Sequence, residues 1–191
     1  FAQMLPSRFD DPEFRAQFAE RVEADTRRIE AVVDTLARLG SLPPPARTPV
    51  DVSGLLARLL QLQRGRIQER RVVVLEELDR EHPEALGDAE QLRFALGLLL
   101  EEAISWLPEH GDLYVATTHR AAEAGRAAPR LRILLRSRGG SGTAPDIGLR
   151  LAENTLAVAA VEAVVRAHGG SLAVEPGEPG ETLVVIDLPA A

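Results

Sequence analysis

Cysteine is absent from the 191 residues, which excludes disulfides, thiol catalysis and thiolate metal sites. Aromatic residues make up only 4%, so the core has to be built from Leu, Val, Ile and Ala. No apolar run approaches the roughly 20 residues that span a bilayer, and no membrane contact is expected in this stretch. Positive charge is in deficit: 22 Lys and Arg stand against 29 Asp and Glu, a net charge of −7. A chain without a cationic surplus is a poor candidate for binding bulk nucleic acid.

What is present is ordinary for a globular protein, with 45% hydrophobic and 27% charged residues. The length suits one good-sized domain, or a domain with a helical appendage. Such a domain buries roughly 70% of its unfolded surface and needs no staples. The chain opens on Phe1 rather than Met and is read as a piece of something longer.

The segment from Asp11 to about Leu39 reads as one long helix, capped by Asp10 or Asp11, with Pro12 in the first turn. Phe18, Val22, Asp25, Ile29, Val32, Leu36 and Leu39 alternate in steps of four and three. That is a heptad seam, with Val22, Ile29 and Leu36 at a and the others at d. A stripe this long and narrow predicts packing against a partner helix, hence a homodimer. Gly40 is expected to end the helix as a left-handed cap. Residues 41–47, with Pro43, Pro44 and Pro45, form a stiff linker.

Beyond residue 48 the pattern alternates. Strands are expected over 48–52, 71–76, 83–86, 112–118, 130–136, 171–175 and 182–188. Helices are expected from a Ser53 cap to Glu69, from Asp88 to Trp106, and from Glu153 to His168. Asp88 and Gln91 have the spacing of a reciprocal capping box. Leu92, Leu96, Leu99 and Ala103 form the buried stripe of the helix they open. Glu101 points away and is read as solvated. The last helix is apolar on more than one face and reads as sandwiched, with His168-Gly169-Gly170 as its C-cap. Helices separated by antiparallel pairs predict an α/β sandwich, a mixed sheet with helices on one face.

Several stretches, in order and spacing, resemble the core of bacterial two-component sensor histidine kinases. Phe1 to Pro6 with Asp10-Asp11-Pro12-Glu13-Phe14 is similar to the turn and second helix of the dimerisation hairpin. Pro49-Val50-Asp51-Val52 with Leu55-Leu56 resembles the opening of the catalytic domain. Gly87-Asp88 with Gln91-Leu92-Arg93 resembles the entry to its nucleotide-binding helix. Leu98-Leu99-Leu100-Glu101-Glu102-Ala103-Ile104 sits where the family reads Asn-Leu-Leu-x-Asn-Ala. Glu162 to Leu172, through Ala167-His168-Gly169-Gly170-Ser171, resembles the family's helix-end segment. The resemblance implies a histidine-kinase ATPase-like fold of Bergerat type over 48–191. It makes residues 1–40 the second part of a dimerisation hairpin.

It also implies a nucleotide pocket, and the family's residues there are replaced. Glu102 takes the position of the metal-binding asparagine and is the one candidate Mg²⁺ ligand. Ser137 takes the position of the adenine-recognising aspartate and lacks its charge assistance. Gly139 begins a glycine-rich stretch, and Asp146 opens a second Asp-x-Gly further along. Thr155 and Ala157 stand where two glycines bring phosphate against backbone N–H groups. His82, His110, His119 and His168 all lie outside the long helix, so no phosphoacceptor is visible.

These replacements fall on one pocket while the scaffold persists. The leading expectation is a histidine-kinase-like signalling module that dimerises and binds a response regulator or another kinase. It would hold no cofactor. Two alternatives stay open: an active kinase with ATP, Mg²⁺ at Glu102 and its acceptor histidine upstream of Phe1, or an ATP-independent histidine phosphotransfer protein. In each case the expected location is cytoplasmic, with the parent free to be membrane-attached.

Overall fold

A computed structural model of the chain describes residues 8–122, 128–138, 155–176 and 180–191. The chain divides into two compact units, Phe1–Ser41 and Leu42–Ala191.

The first unit is dominated by one helix, α1 (Pro12–Gly40), of 29 residues. At 1.5 Å per residue it is about 43 Å long. Asp11 caps it, its carboxylate accepting the N–H groups of Glu13 at 3.0 Å and Phe14 at 3.2 Å. The Arg8 guanidinium, followed by the Phe14 N–H, holds the Asp11 carboxyl below the usual range. Phe14 is buried, stacked on Phe18 with centroids 6.1 Å apart. Every other residue of the helix is partly or fully exposed. The expected glycine cap is not found: Gly40 is the last helical residue and Ser41 follows in right-handed backbone. The Ser41 N–H and hydroxyl both bond the last turn, so no left-handed residue is required.

In the second unit β1 (Thr48–Asp51) pairs antiparallel with β3 (Glu84–Gly87). The main sheet has the order β2-β4-β5-β7-β6, from β2 (Val73–Glu77), β4 (Asp112–Arg120), β5 (Arg130–Arg138), β6 (Ser171–Pro176) and β7 (Glu181–Pro189). β2 runs parallel to β4 and the other neighbours are antiparallel, so the sheet is mixed. Leu113, Val115, Leu131, Ile133, Leu135, Val184, Ile186 and Leu188 alternate along their strands and are buried. They make the face that the helices cover. The other face carries half-exposed Tyr114, Arg132, Leu134, Val185 and Asp187. Arg132 grips Asp187 with two bonds of 2.8 and 2.7 Å. That grip keeps the Asp187 carboxyl below the usual range.

The helices are α2 (Val52–Leu62), α3 (Arg64–Glu69), α4 (Ala89–Trp106) and α5 (Thr155–Ala167). Two expectations about the first of these need correcting. Asp51, not Ser53, is the cap, its carboxylate accepting the Gly54 N–H at 2.7 Å. Ser53 is thereby free to sit buried with its hydroxyl 2.7 Å from that of Thr117. The expected single helix to Glu69 also breaks at Gln63. α3 has no buried residue to hold it in line, and Gly65 weakens it by about 1 kcal/mol relative to alanine.

The buried stripe of α4 contains Leu92, Leu96, Leu99 and Ala103 as read, and is widened by Gln91, Ala95, Leu100 and Ile104. Glu101 is not simply solvated: it pairs with Arg66 of α3. Both partners are about half exposed, so the pair adds little to stability. α5 is not sandwiched. Its buried residues Ala157, Ala160, Val161, Val164 and Val165 form one face, and Ala163 is exposed. A single apolar face is what packing on one layer requires.

Candidate functional site

The described candidate residues lie on β5, α4 and α5. Ser137 is the penultimate residue of β5 and lies in register with Thr182, the second residue of β7. Both are buried, with relative exposures of 4% and 0%. Their side chains fall on the helix-covered face, in the alternation that also buries Leu135 and Val184. Two neutral hydroxyl residues therefore stand side by side under the helix layer, at one end of the strands.

Thr182 was not picked out from the sequence, because a threonine in a strand is unremarkable. Only its setting singles it out: its Oγ1 is buried without a hydrogen-bond partner among the described residues. A hydroxyl left in that state costs about 1–3 kcal/mol. Thr182→Val, which keeps the shape and removes the orphan, is expected to raise stability by up to that amount. Urea unfolding measures it, and a clear loss of stability in the variant would mean the hydroxyl is satisfied in solution.

Ala157 lies in the first turn of α5 and is buried, with 7% of its surface exposed. Glu102 is half-buried on α4, and α4 packs directly against α5. Its backbone carbonyl accepts the Ser105 hydroxyl at 2.9 Å. Thus Ser137 and Thr182 are brought together by strand register, and Ala157 and Glu102 stand on adjoining helices. Gly139 and Asp146 lie outside the described residues, as does the side chain of Thr155. Among the described residues, no group of three or more His, Asp or Glu side chains is placed to hold a metal ion. Among the described residues, Glu102 is the one carboxylate that the resemblance brings to the pocket.

The histidines take other roles. His82 and His119 stack with ring centroids 4.9 Å apart. They are held there by Asp79, whose carboxylate accepts the backbone N–H groups of both. Those bonds, that from His82 first, hold the Asp79 carboxyl below its usual range. His110 occupies a turn at φ 62°. His168 is 3% exposed, with Nδ1 2.7 Å from the Val164 carbonyl. Its Nε2 accepts the Asp88 N–H at 3.0 Å. At the C-cap expected of it, His168 is a buried bridge from the end of α5 to the start of α4.

A mixed five-stranded sheet with helices on one face is the architecture of the ATPase fold of histidine kinases. The comparisons agree. No family model matches the chain. It is 26% identical over 190 residues to the sensory histidine kinase/phosphatase NtrB of Rhodobacter capsulatus, covering 92% of this chain and 53% of that protein. It is 24% identical over 97 residues to the adaptive-response sensory kinase SasA of Synechocystis, covering 51% of this chain and 25% of that protein. The chain thus spans about half the length of the first relative and a quarter of the second. Among solved structures, histidine kinase ThkA in complex with the response regulator TrrA matches with a TM-score of 0.74 at 16% identity. That match covers 100% of this chain and 56% of that one. In sequence and in fold the chain is thus similar to the core of two-component sensor histidine kinases. Among the described residues, no helix is long and apolar enough to cross a membrane.

Proposed function

We propose that this module has lost productive Mg-ATP binding and acts as a dimeric scaffold in a two-component pathway. The observation that carries the reading is the buried pair Ser137 and Thr182. A carboxylate at the first position would accept an amino donor with charge assistance, and a hydroxyl provides none. Two further features support it. The Ala157 methyl group closes on the first turn of α5, where phosphate needs open backbone N–H groups. Glu102 puts a carboxylate where the family has a neutral asparagine, and the carboxylate of one residue is a sparse anchor for Mg²⁺.

The work of such a module is binding. ThkA is seen with its response regulator, and a response regulator or a second kinase is the partner class proposed for this chain. The seam of α1 would join two copies. The proposed setting is the cytoplasm, where such regulators act.

One observation favours a second reading, that of an active kinase with its acceptor histidine on another segment. Glu102 is half-exposed on α4 rather than sealed away, so a metal could reach it. Calorimetry with Mg-ATP, run beside a thermal-shift series, separates the two. Ligand that binds only the folded state raises the melting temperature by mass action. The expected result is no heat and no shift at millimolar Mg-ATP. Micromolar binding would overturn the scaffold reading and point to Glu102 as a metal ligand.

A further inference from the structure

We propose that β2 is a pairing edge for a second copy of this chain: two β2 strands, antiparallel about a two-fold axis at Leu75, join two five-stranded sheets into one. The pairing uses no residue of the pocket and none of the α1 seam.

β2 stands at one end of the sheet order and pairs in parallel with β4 alone. The Val73 N–H bonds the Gly111 carbonyl at 2.9 Å. Alternate residues of a strand turn their N–H and C=O groups to the same side. Val73, Leu75 and Glu77 therefore serve β4, and the groups of Val74 and Glu76 face outward. Among the described residues, no hydrogen bond reaches those outward groups. Such an edge is a template for a further strand, and proteins commonly guard it with proline, lysine or a lack of apolar side chains. The opposite edge is guarded: β6 ends on Pro176 and exposes Ser171, Ala173 and Glu175. β2 has no proline or lysine, and Val73 and Leu75 are 52% and 57% exposed. Of the large apolar side chains described in the second unit, only Leu62 is as open.

The charges on β2 select the occupant. Arg71 precedes the strand, Glu76 and Glu77 close it, and all three are exposed. A parallel copy in register would set each glutamate against its like, which is destabilising. An antiparallel copy carries its glutamates to the other end, beside Val73, Val74 and Arg71. The outward groups then fix the register. Val74 meets Glu76 of the second copy, Glu76 meets its Val74, and each pair exchanges two bonds. Leu75 falls opposite Leu75 of the second copy, on the face away from the helices. Leu75 is also in register with Tyr114, so an apolar row crosses the joint. Two strands of five residues bury far less than the roughly 1,000 Å² of a stable interface. The contact is therefore weak, and it leaves Ile29→Glu monomeric at micromolar concentration.

The test uses the absence of cysteine. Leu75→Cys, Val73→Cys and Ala173→Cys each put one thiol at an exposed position of the whole chain. Directly opposite residues of a non-hydrogen-bonded antiparallel pair have Cα atoms about 4.5 Å apart, within the range of a disulfide. Across the same axis the two copies of residue 73 lie four residues apart along the strands, about 13 Å. Under mild oxidation, Leu75→Cys is expected to give a disulfide-linked dimer at least about tenfold faster than the other two, since only position 75 meets that geometry. Amide exchange followed by NMR is the second measurement. The Val74 and Glu76 N–H groups should exchange several-fold more slowly as the native chain is concentrated. In Leu75→Lys, which sets two ammonium groups opposite each other, they should not. Equal crosslinking at 73 and 75, or none at 75, would overturn the pairing and leave the edge to a strand of another protein. Exchange at Val74 and Glu76 that ignores concentration would overturn it as well.

Discussion

Ile29→Glu is expected to convert the chain from a dimer to a monomer while leaving the thermal transition of the second unit where it was. Within α1 the apolar seam is left open: Val22, Ile29, Val32 and Leu36 are 45%, 63%, 40% and 50% exposed. An isolated helix with such a stripe wastes the gain of burial, which is about 1.5–3 kcal/mol for each large aliphatic side chain fully removed from water. Two helices that cover each other's stripe recover it. Ile29 is at the middle of the seam, so a glutamate there puts two carboxylates against apolar neighbours in a symmetric pair. The loss should be several kcal/mol, enough to move a micromolar dimer beyond the millimolar range. Light scattering after size-exclusion chromatography reads the mass directly. A native chain that stays monomeric at high concentration would sink the dimer. Asp25, which pairs loosely with Arg21 at 3.4 Å, would be the one polar layer of that seam.

Gly170→Ala is expected to destabilise the second unit more than Gly169→Ala, although only Gly169 has left-handed backbone. The end of α5 is a Schellman turn. The Gly170 N–H bonds the Val165 carbonyl and the Gly169 N–H bonds the Arg166 carbonyl, both at 2.9 Å. Gly169 has φ 73°, and alanine there costs about 1–2 kcal/mol. A Cβ on it would meet only Pro189 Cγ at 3.7 Å. At Gly170 the Cβ would lie 2.6 Å from the Asp187 carbonyl and 2.9 Å from both Val165 Cγ1 and Leu188 Cδ2. That carbonyl cannot retreat. Asp187 is held on both sides, by strand pairing to Arg132 and Ser171 and by the Arg132 guanidinium. Overpacking against a fixed backbone costs about 1–3 kcal/mol and more where nothing yields. Urea unfolding of the two variants gives the order, and a larger loss at Gly169 would mean that backbone strain outweighs the contact.

Much of the fold was legible because its signals are local. The long α1 follows from Asp11, Pro12 and a seam that keeps its period over three turns and more. The strands follow from alternation such as Leu131-Ile133-Leu135 and Val184-Ile186-Leu188. The stripe of α4 was readable for the same reason. What misled the reading were residues with two possible partners. Asp51 and Ser53 both suit an N-cap, and the choice fell to Asp51 because Thr117, 64 residues away, takes the serine. Gln91 has the spacing of a capping box, and its amide went to Pro43 instead.

The site divides in the same way. Ser137, Glu102 and Ala157 could be named by their places in a motif. Thr182 could not, since nothing local separates it from any other strand threonine. Its importance comes from register with Ser137 and from total burial, which are properties of the sheet.

By itself, then, the sequence determined the periodic elements and the stiffness of the proline run. Helix period, strand alternation and proline stiffness act between neighbours in the chain, and each leaves its mark there. Only the tertiary structure decided which partner each polar side chain took. Hydrogen bonds inside a folded protein are exclusive and short. A buried amide such as that of Gln91, a buried imidazole such as that of His168 and an orphan hydroxyl such as that of Thr182 acquire their meaning from groups that packing brings within about 3 Å.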